Sequence, residues 1–289
     1  MNHRFGLYFG TTAALVAAGS IGLMRSAAVS ADSVAPRLVA PGAVAGSPES
    51  GLWIADARLH GIFKLSAGKP VEMAFKGGAT NRSPLASPRA LAIDSKGNLF
   101  AADTATSEVY RLQPGEPPVP LTHGAFEIPM GLAIGKNDVL YIADMRLSTI
   151  FRMPISGGKP EIVAKVPAPR GIMIDADASV IVVSAGPDQL VRVRGDGKVE
   201  PIVRGRPFSF PHAVVSAPDR GGFLVSDGYT ATIWKVSAEG KTEAWFKGAP
   251  LVRPVGMTRD SAGAVIVADP GAGKVFRLKS PNDIKSLIP

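Results

Sequence analysis

The sequence predicts an all-β chain folded as a six-bladed β-propeller of four-stranded antiparallel blades. Three observations predict it. One pattern of about 40 residues recurs six times, the second strand ends in the same register in five copies with one extra residue in the copy at Pro211, and a three-residue signature marks every third strand.

The pattern is clearest from Pro88. Pro88 to Asp94 reads as a first strand, Ser95 to Asn98 as a turn, Leu99 to Asp103 as a second strand and Val109 to Leu112 as a third, with a fourth near Val119 to Thr122. The repeats start near Pro41, Pro88, Pro129, Pro169, Pro211 and Pro254, at spacings of 47, 41, 40, 42 and 43. The second strands close on Asp56, Asp103, Asp144, Ser184, Asp227 and Asp269. Six residues later stands an aliphatic (Ile62, Val109, Ile150, Leu190, Ile233, Val275). A large apolar side chain follows, and then always a base: Lys64, Arg111, Arg152, Arg192, Lys235 and Arg277.

Segments such as Leu140-Tyr141-Ile142-Ala143 are apolar on both faces, so each blade needs a neighbour on each side. A closed ring meets that need for all six copies. The copies fill residues 32–289 and leave no room for a second domain. Two segments compete for the outer edge of the last blade: Asp283 to Ile288, or Arg37 to Ala40 from the other end of the chain.

Composition agrees. The chain is 46% hydrophobic and 19% charged, a globular balance, and its 32 glycines and 25 prolines suit many short strands joined by tight turns. Residues 1–31 stand apart. Arg4 precedes an uncharged, mostly apolar run from Phe5 to Met24, and Val29-Ser30-Ala31 offers small residues at the positions a signal peptidase reads. This is read as a cleaved secretory signal rather than a membrane anchor, which gives a periplasmic or secreted address and no membrane contact beyond that segment. Removing its two arginines takes the net charge from +8 to +6. That charge favours anionic partners but, with no Lys/Arg run or base-reading motif, does not indicate nucleic-acid binding. The absence of cysteine excludes disulfides, thiolate metal sites and cysteine nucleophiles.

The run of proline, any residue, glycine or alanine, an aliphatic, then Asp-x-x-Gly and an aliphatic-rich strand ending in Ala-Asp resembles the NHL repeat, most closely at Pro88 to Leu112 and Pro129 to Met153. The resemblance extends to the superfamily of gluconolactonase and senescence-marker proteins, strictosidine-synthase-like proteins and virginiamycin B lyase. It implies the six-bladed architecture. Function must come from the site.

Features that repeat with the blades are read as structural. The strand-ending aspartates, and Asp94, Asp175 and Asp260 at the first turns, are expected to accept backbone N–H groups. The third-strand bases are expected to pack their stems and pair their heads. Function is sought where the repeat is broken. The residue after each repeat proline should lie at the channel rim: Gly42, Arg89, Met130, Arg170, His212 and Val255. None is acidic. The metal-dependent lactonases of the superfamily imply oxygen ligands for a divalent cation at such positions, and these residues do not supply them. No cofactor is therefore expected, and calcium is disfavoured.

The same residues suit an anion. Arg89 and Arg170 are candidates for bidentate contacts to a carboxylate, sulfate or phosphate, with pairing to carboxylates inside the channel as the alternative. His212 is the candidate catalytic residue, since virginiamycin B lyase uses propeller histidines, but no partner carboxylate is evident for it. The loop Arg204 to Phe210 places Arg206, Phe208 and Phe210 before His212, where the aromatics either contact ligand or pack between blades. His60 is expected on the same face, and His123 on an outer connection. Two function classes result. The first is a monomeric exported module binding an anionic small molecule, glycan or protein segment at the channel mouth. The second is a lactone hydrolase or lyase acting through His212.

Overall fold

The computed structural model describes residues 37–288 apart from Arg220. The signal reading of residues 1–31 lies outside the described residues. Every repeat forms its own four-stranded antiparallel sheet, and the strands of each sheet lie in chain order. Blade 3 is typical: strands Pro129–Ile134, Val139–Asp144, Thr149–Pro154 and Glu161–Lys165. The first strands of blades 1, 2, 4 and 5 begin on the repeat prolines, as expected. That of blade 6 begins at Gly256, two residues beyond Pro254.

The competition for the last edge resolves in favour of the C-terminus. Asp283–Ser286 is the fourth strand of blade 6. Arg37 to Ala40 joins no sheet. The N–H groups of Val39 and Ala40 instead donate to Asp56 Oδ2 at 2.7 and 2.8 Å. The ring closes by packing, since Leu38, Val44, Ile54 and Phe63 share one buried cluster with Ile266, Val275 and Ile288.

Each of the six gaps between blades holds one such cluster. This is the physical reason for apolar residues on both strand faces. Fully buried residues such as Phe63 and Phe100 contribute about 1.5–3 kcal/mol each by leaving water. No single core exists, so stability is distributed around the ring.

The strand-ending aspartates hold each blade's corner. Asp144 is wholly buried. Its Oδ2 accepts from the N–H groups of Glu127 and Ile128 at 2.7 and 3.1 Å, and its Oδ1 from those of Arg146 and Leu147 at 3.0 and 2.9 Å. One carboxylate thus ties the approach to the first strand to the turn after the second. Asp56, Asp103, Asp227 and Asp269 make the same double connection. Ser184 replaces them in blade 4. Its hydroxyl donates to Pro167 O at 2.6 Å and accepts from the Gly186 N–H at 2.9 Å.

The third-strand bases act at the blade surface. Lys64 lies over the Trp53 ring at 5.0 Å, Arg192 pairs with Asp175 at 2.8 Å, and Arg277 pairs with Asp260 at 2.5 Å.

Candidate functional site at the channel mouth

The first strands line the central channel, and those of blades 1 to 5 each carry an irregularity at the start, whereas that of blade 6 pairs without one. The ladder slips between Pro41 and Ala43, Pro88 and Ala90, Pro169 and Ile172, and Pro211 and Val214; in blade 3 it slips at Met130, between Pro129 and Gly131. A bulge leaves a residue unpaired and re-aims its side chain. Gly42, Arg89, Met130, Arg170 and His212 all sit in these bulges, so the backbone turns the rim positions toward the channel.

The residue after each of them must be small because neighbouring first strands crowd together. A Cβ on Gly131 would lie 2.1 Å from Arg170 O, and one on Gly171 would lie 2.4 Å from His212 O. The channel narrows to a cavity of about 110 Å³ lined by these strands.

Above it opens a bowl of about 640 Å³. Arg58, Arg89, Arg170 and Arg253 line it together with His212, and no acidic side chain does. None of the four arginines is in an ion pair among the described residues. The alternative in which Arg89 and Arg170 neutralise carboxylates inside the channel therefore has no carboxylates to use.

Arg170 is the most enclosed of the four. Its Nη1 donates to Pro211 O at 3.2 Å, its guanidinium carbon lies 4.0 Å from the Phe210 ring centroid, and its buried Nε has no acceptor. Burial lowers its pKa from the ordinary arginine value. Arg89 is exposed, with its Nε donating to Ser87 Oγ at 3.2 Å.

Phe210 organises this side of the bowl. Tyr229 stacks on it at 4.3 Å and 8°, and the His212 ring meets its edge at 4.5 Å. Tyr229 is 69% exposed. The His212 pKa is pushed down to about 3, first by burial and then by the Arg170, Arg89 and Arg253 charges. The imidazole is therefore neutral at neutral pH. Asp227 opposes that shift only weakly. Its oxygens already accept from the N–H groups of Ser209, Phe210 and Tyr229 and from Trp234 Nε1.

The structure brings Arg89, Arg170, His212 and Phe210 together and places the other expected residues elsewhere. Phe208 is buried at 3% in the cluster between blades 4 and 5, clamped by Gln189 on its N–H and its carbonyl. Arg206 donates to Ala185 O at 2.7 Å and ties two loops together. His60 bonds Ala86 O through Nδ1 at 2.7 Å and does not line the bowl. Arg58, Arg253 and Tyr229 were not singled out by the sequence. Arg58 and Tyr229 each lie two residues past a strand-ending aspartate, and Arg253 lies one before a repeat proline. Comparing those registers across the repeats was the signal that would have found them.

The charged side chains of this mouth are guanidinium groups, and among the described residues no three His, Asp or Glu side chains gather in one place.

No protein-family model matches the chain, and no curated protein matches it. Solved structures do. A streptogramin B lyase is 16% identical with a TM-score of 0.67, covering 89% of this chain and 85% of that one. Virginiamycin B lyase from Staphylococcus aureus is 18% identical with a TM-score of 0.66, covering 87% and 86%. A gluconolactonase from Xanthomonas campestris is 15% identical with a TM-score of 0.67, covering 84% and 88%. These likenesses establish the six-bladed fold and match the resemblance read from the repeat.

Proposed function

We propose that this chain is an exported, monomeric binding propeller that takes an anionic ligand at its channel mouth. The ligand class is an anionic small molecule, glycan or protein segment. One observation carries the reading: four arginines and a histidine line a single bowl without an acidic partner. Guanidinium groups offer paired donors to carboxylate, sulfate or phosphate. At the half-buried Arg170, beside the Phe210 ring, such a contact is stronger than on a fully exposed surface.

Thermal unfolding of the protein against glucuronate, inorganic phosphate, sulfated sugars, calcium and EDTA tests this. A ligand that binds only the folded state raises the midpoint by mass action. The expected result is a rise with anions and none with calcium. A rise with calcium that EDTA reverses would overturn the reading and make a metal-dependent lactonase the better one.

A second reading, a lyase or lactone hydrolase, is supported by the fold it shares with the streptogramin B lyase and the gluconolactonase and by the placement of His212. A neutral imidazole is free to accept a proton, but one whose conjugate acid has a pKa of about 3 is a weak base at neutral pH. No free carboxylate orients it. Turnover of a lactone or depsipeptide that disappears in His212→Ala would favour this reading over simple binding.

A further inference from the structure

We infer that the ligand of this bowl is an anion with an apolar body, a compact aromatic or aliphatic carboxylate, rather than a sugar acid or a bare inorganic anion. The inference rests on the anion-binding reading above and adds what the rest of the bowl selects.

The blades contribute unequally to the lining. Arginines come from blades 1, 2, 4 and 6 and the histidine from blade 5, whereas blade 3 contributes only Ile128, Met130 and Met145. All three are half-buried. Met130 occupies the same bulge register as Arg89 and Arg170 in the blades on either side. A thioether therefore stands in register between two guanidinium groups, and Ile128 and Met145 line the same bowl. Unbranched thioethers adapt to irregular apolar shapes and make favourable contacts with aromatic rings.

Polar contacts for a sugar are scarce. The lining has no side-chain amide and no carboxylate, and its two hydroxyls, Ser87 and Thr104, bond each other and Arg89. A polyol placed here would lose its hydration and find few acceptors, which costs affinity at each unpaired hydroxyl. A carboxylate needs only donors, and the four arginines that line the bowl supply them. A volume of about 640 Å³ suits a small organic molecule better than a lone oxyanion.

Titration calorimetry of the full chain with naphthoate, glucuronate, inorganic phosphate and neutral naphthalenemethanol tests the inference. Naphthoate is expected to bind at least about tenfold more tightly than each of the others. The pair Met130→Gln and Met145→Gln is expected to weaken naphthoate by about tenfold while leaving phosphate unchanged. If glucuronate or phosphate binds as tightly as naphthoate, the apolar-body inference falls and the anion reading stands. If naphthalenemethanol matches naphthoate, the arginines are not the selecting groups and both fall. If no anion binds, both fall as well. The wild-type series decides the matter even if the double variant fails to fold.

Discussion

Two sets of charged side chains occur near the same face of the propeller, and they behave in opposite ways. The strand-ending aspartates are wholly buried, and each accepts three or more hydrogen bonds, nearly all from backbone N–H groups of its own blade. The mouth arginines line open space and have no acidic partner. By formal charge the five aspartates ought to more than cancel the four arginines. They do not, because the aspartates are already saturated by the backbone and the guanidinium groups are not. Available charge, rather than counted charge, marks the site.

Substitution should break this comparison most sharply at the aspartates. Asp144→Ala removes the acceptor for four buried or half-buried N–H groups and is expected to cost roughly 3–5 kcal/mol in urea unfolding. A loss below about 1 kcal/mol would contradict the corner-tying role assigned here. Arg89→Ala with Arg170→Ala, by contrast, should leave stability within about 1 kcal/mol of wild type, because it removes like charges that have no acidic partner.

Acid should sharpen the comparison with a smaller effect. Because the folded-state pKa of His212 is about 3 against an ordinary 6.5, the unfolded chain takes up a proton in that window and the folded chain does not. Its contribution to stability is therefore present above pH 6.5 and is lost as the pH falls toward about 3. Burial alone would raise the Asp227 pKa, but hydrogen bonds from Ser209 and Phe210 hold it below its ordinary 3.8, so its stabilisation is lost only in stronger acid. His212→Asn should flatten the fall in stability from neutral pH to about pH 4. Saturating anion should reduce it too, by neutralising the arginines that depress the imidazole. An unchanged slope in His212→Asn would show that His212 is not held neutral.

The smallest effect belongs to the blade surface. Lys235→Ala breaks an exposed pair with Asp219 and should leave the unfolding midpoint unmoved.

Most of the fold was legible because the repeat states it six times. Pro and the aliphatic-apolar-base triplet occupy a register fixed by one blade's own geometry in every copy, and Asp does so in five, with Ser184 in its place in blade 4. Closure was not legible, since Arg37 to Ala40 and Asp283 to Ile288 both read as short edge strands, and only the ladder separates them: Asp283–Ser286 pairs with Lys274–Ser280, while Arg37 to Ala40 joins no sheet. At the site, Arg89, Arg170 and His212 were legible as breaks in the repeat. Phe208 and Phe210 were not separable by sequence. They are two residues apart, yet Phe208 turns into the gap beside Trp234 at 5.9 Å while Phe210 turns out to the bowl. That division is set by Gln189, which clamps Phe208 across a distance of 19 residues in the chain.

The most direct test of the central claim is calorimetric titration of the anion that gives the largest thermal shift into wild type and into Arg89→Ala/Arg170→Ala, both shown to be folded. The account expects the double variant to bind at least about a hundredfold more weakly, with wild-type affinity falling as salt rises. Equal affinity in the two proteins would contradict it and would place the anion site away from the channel mouth.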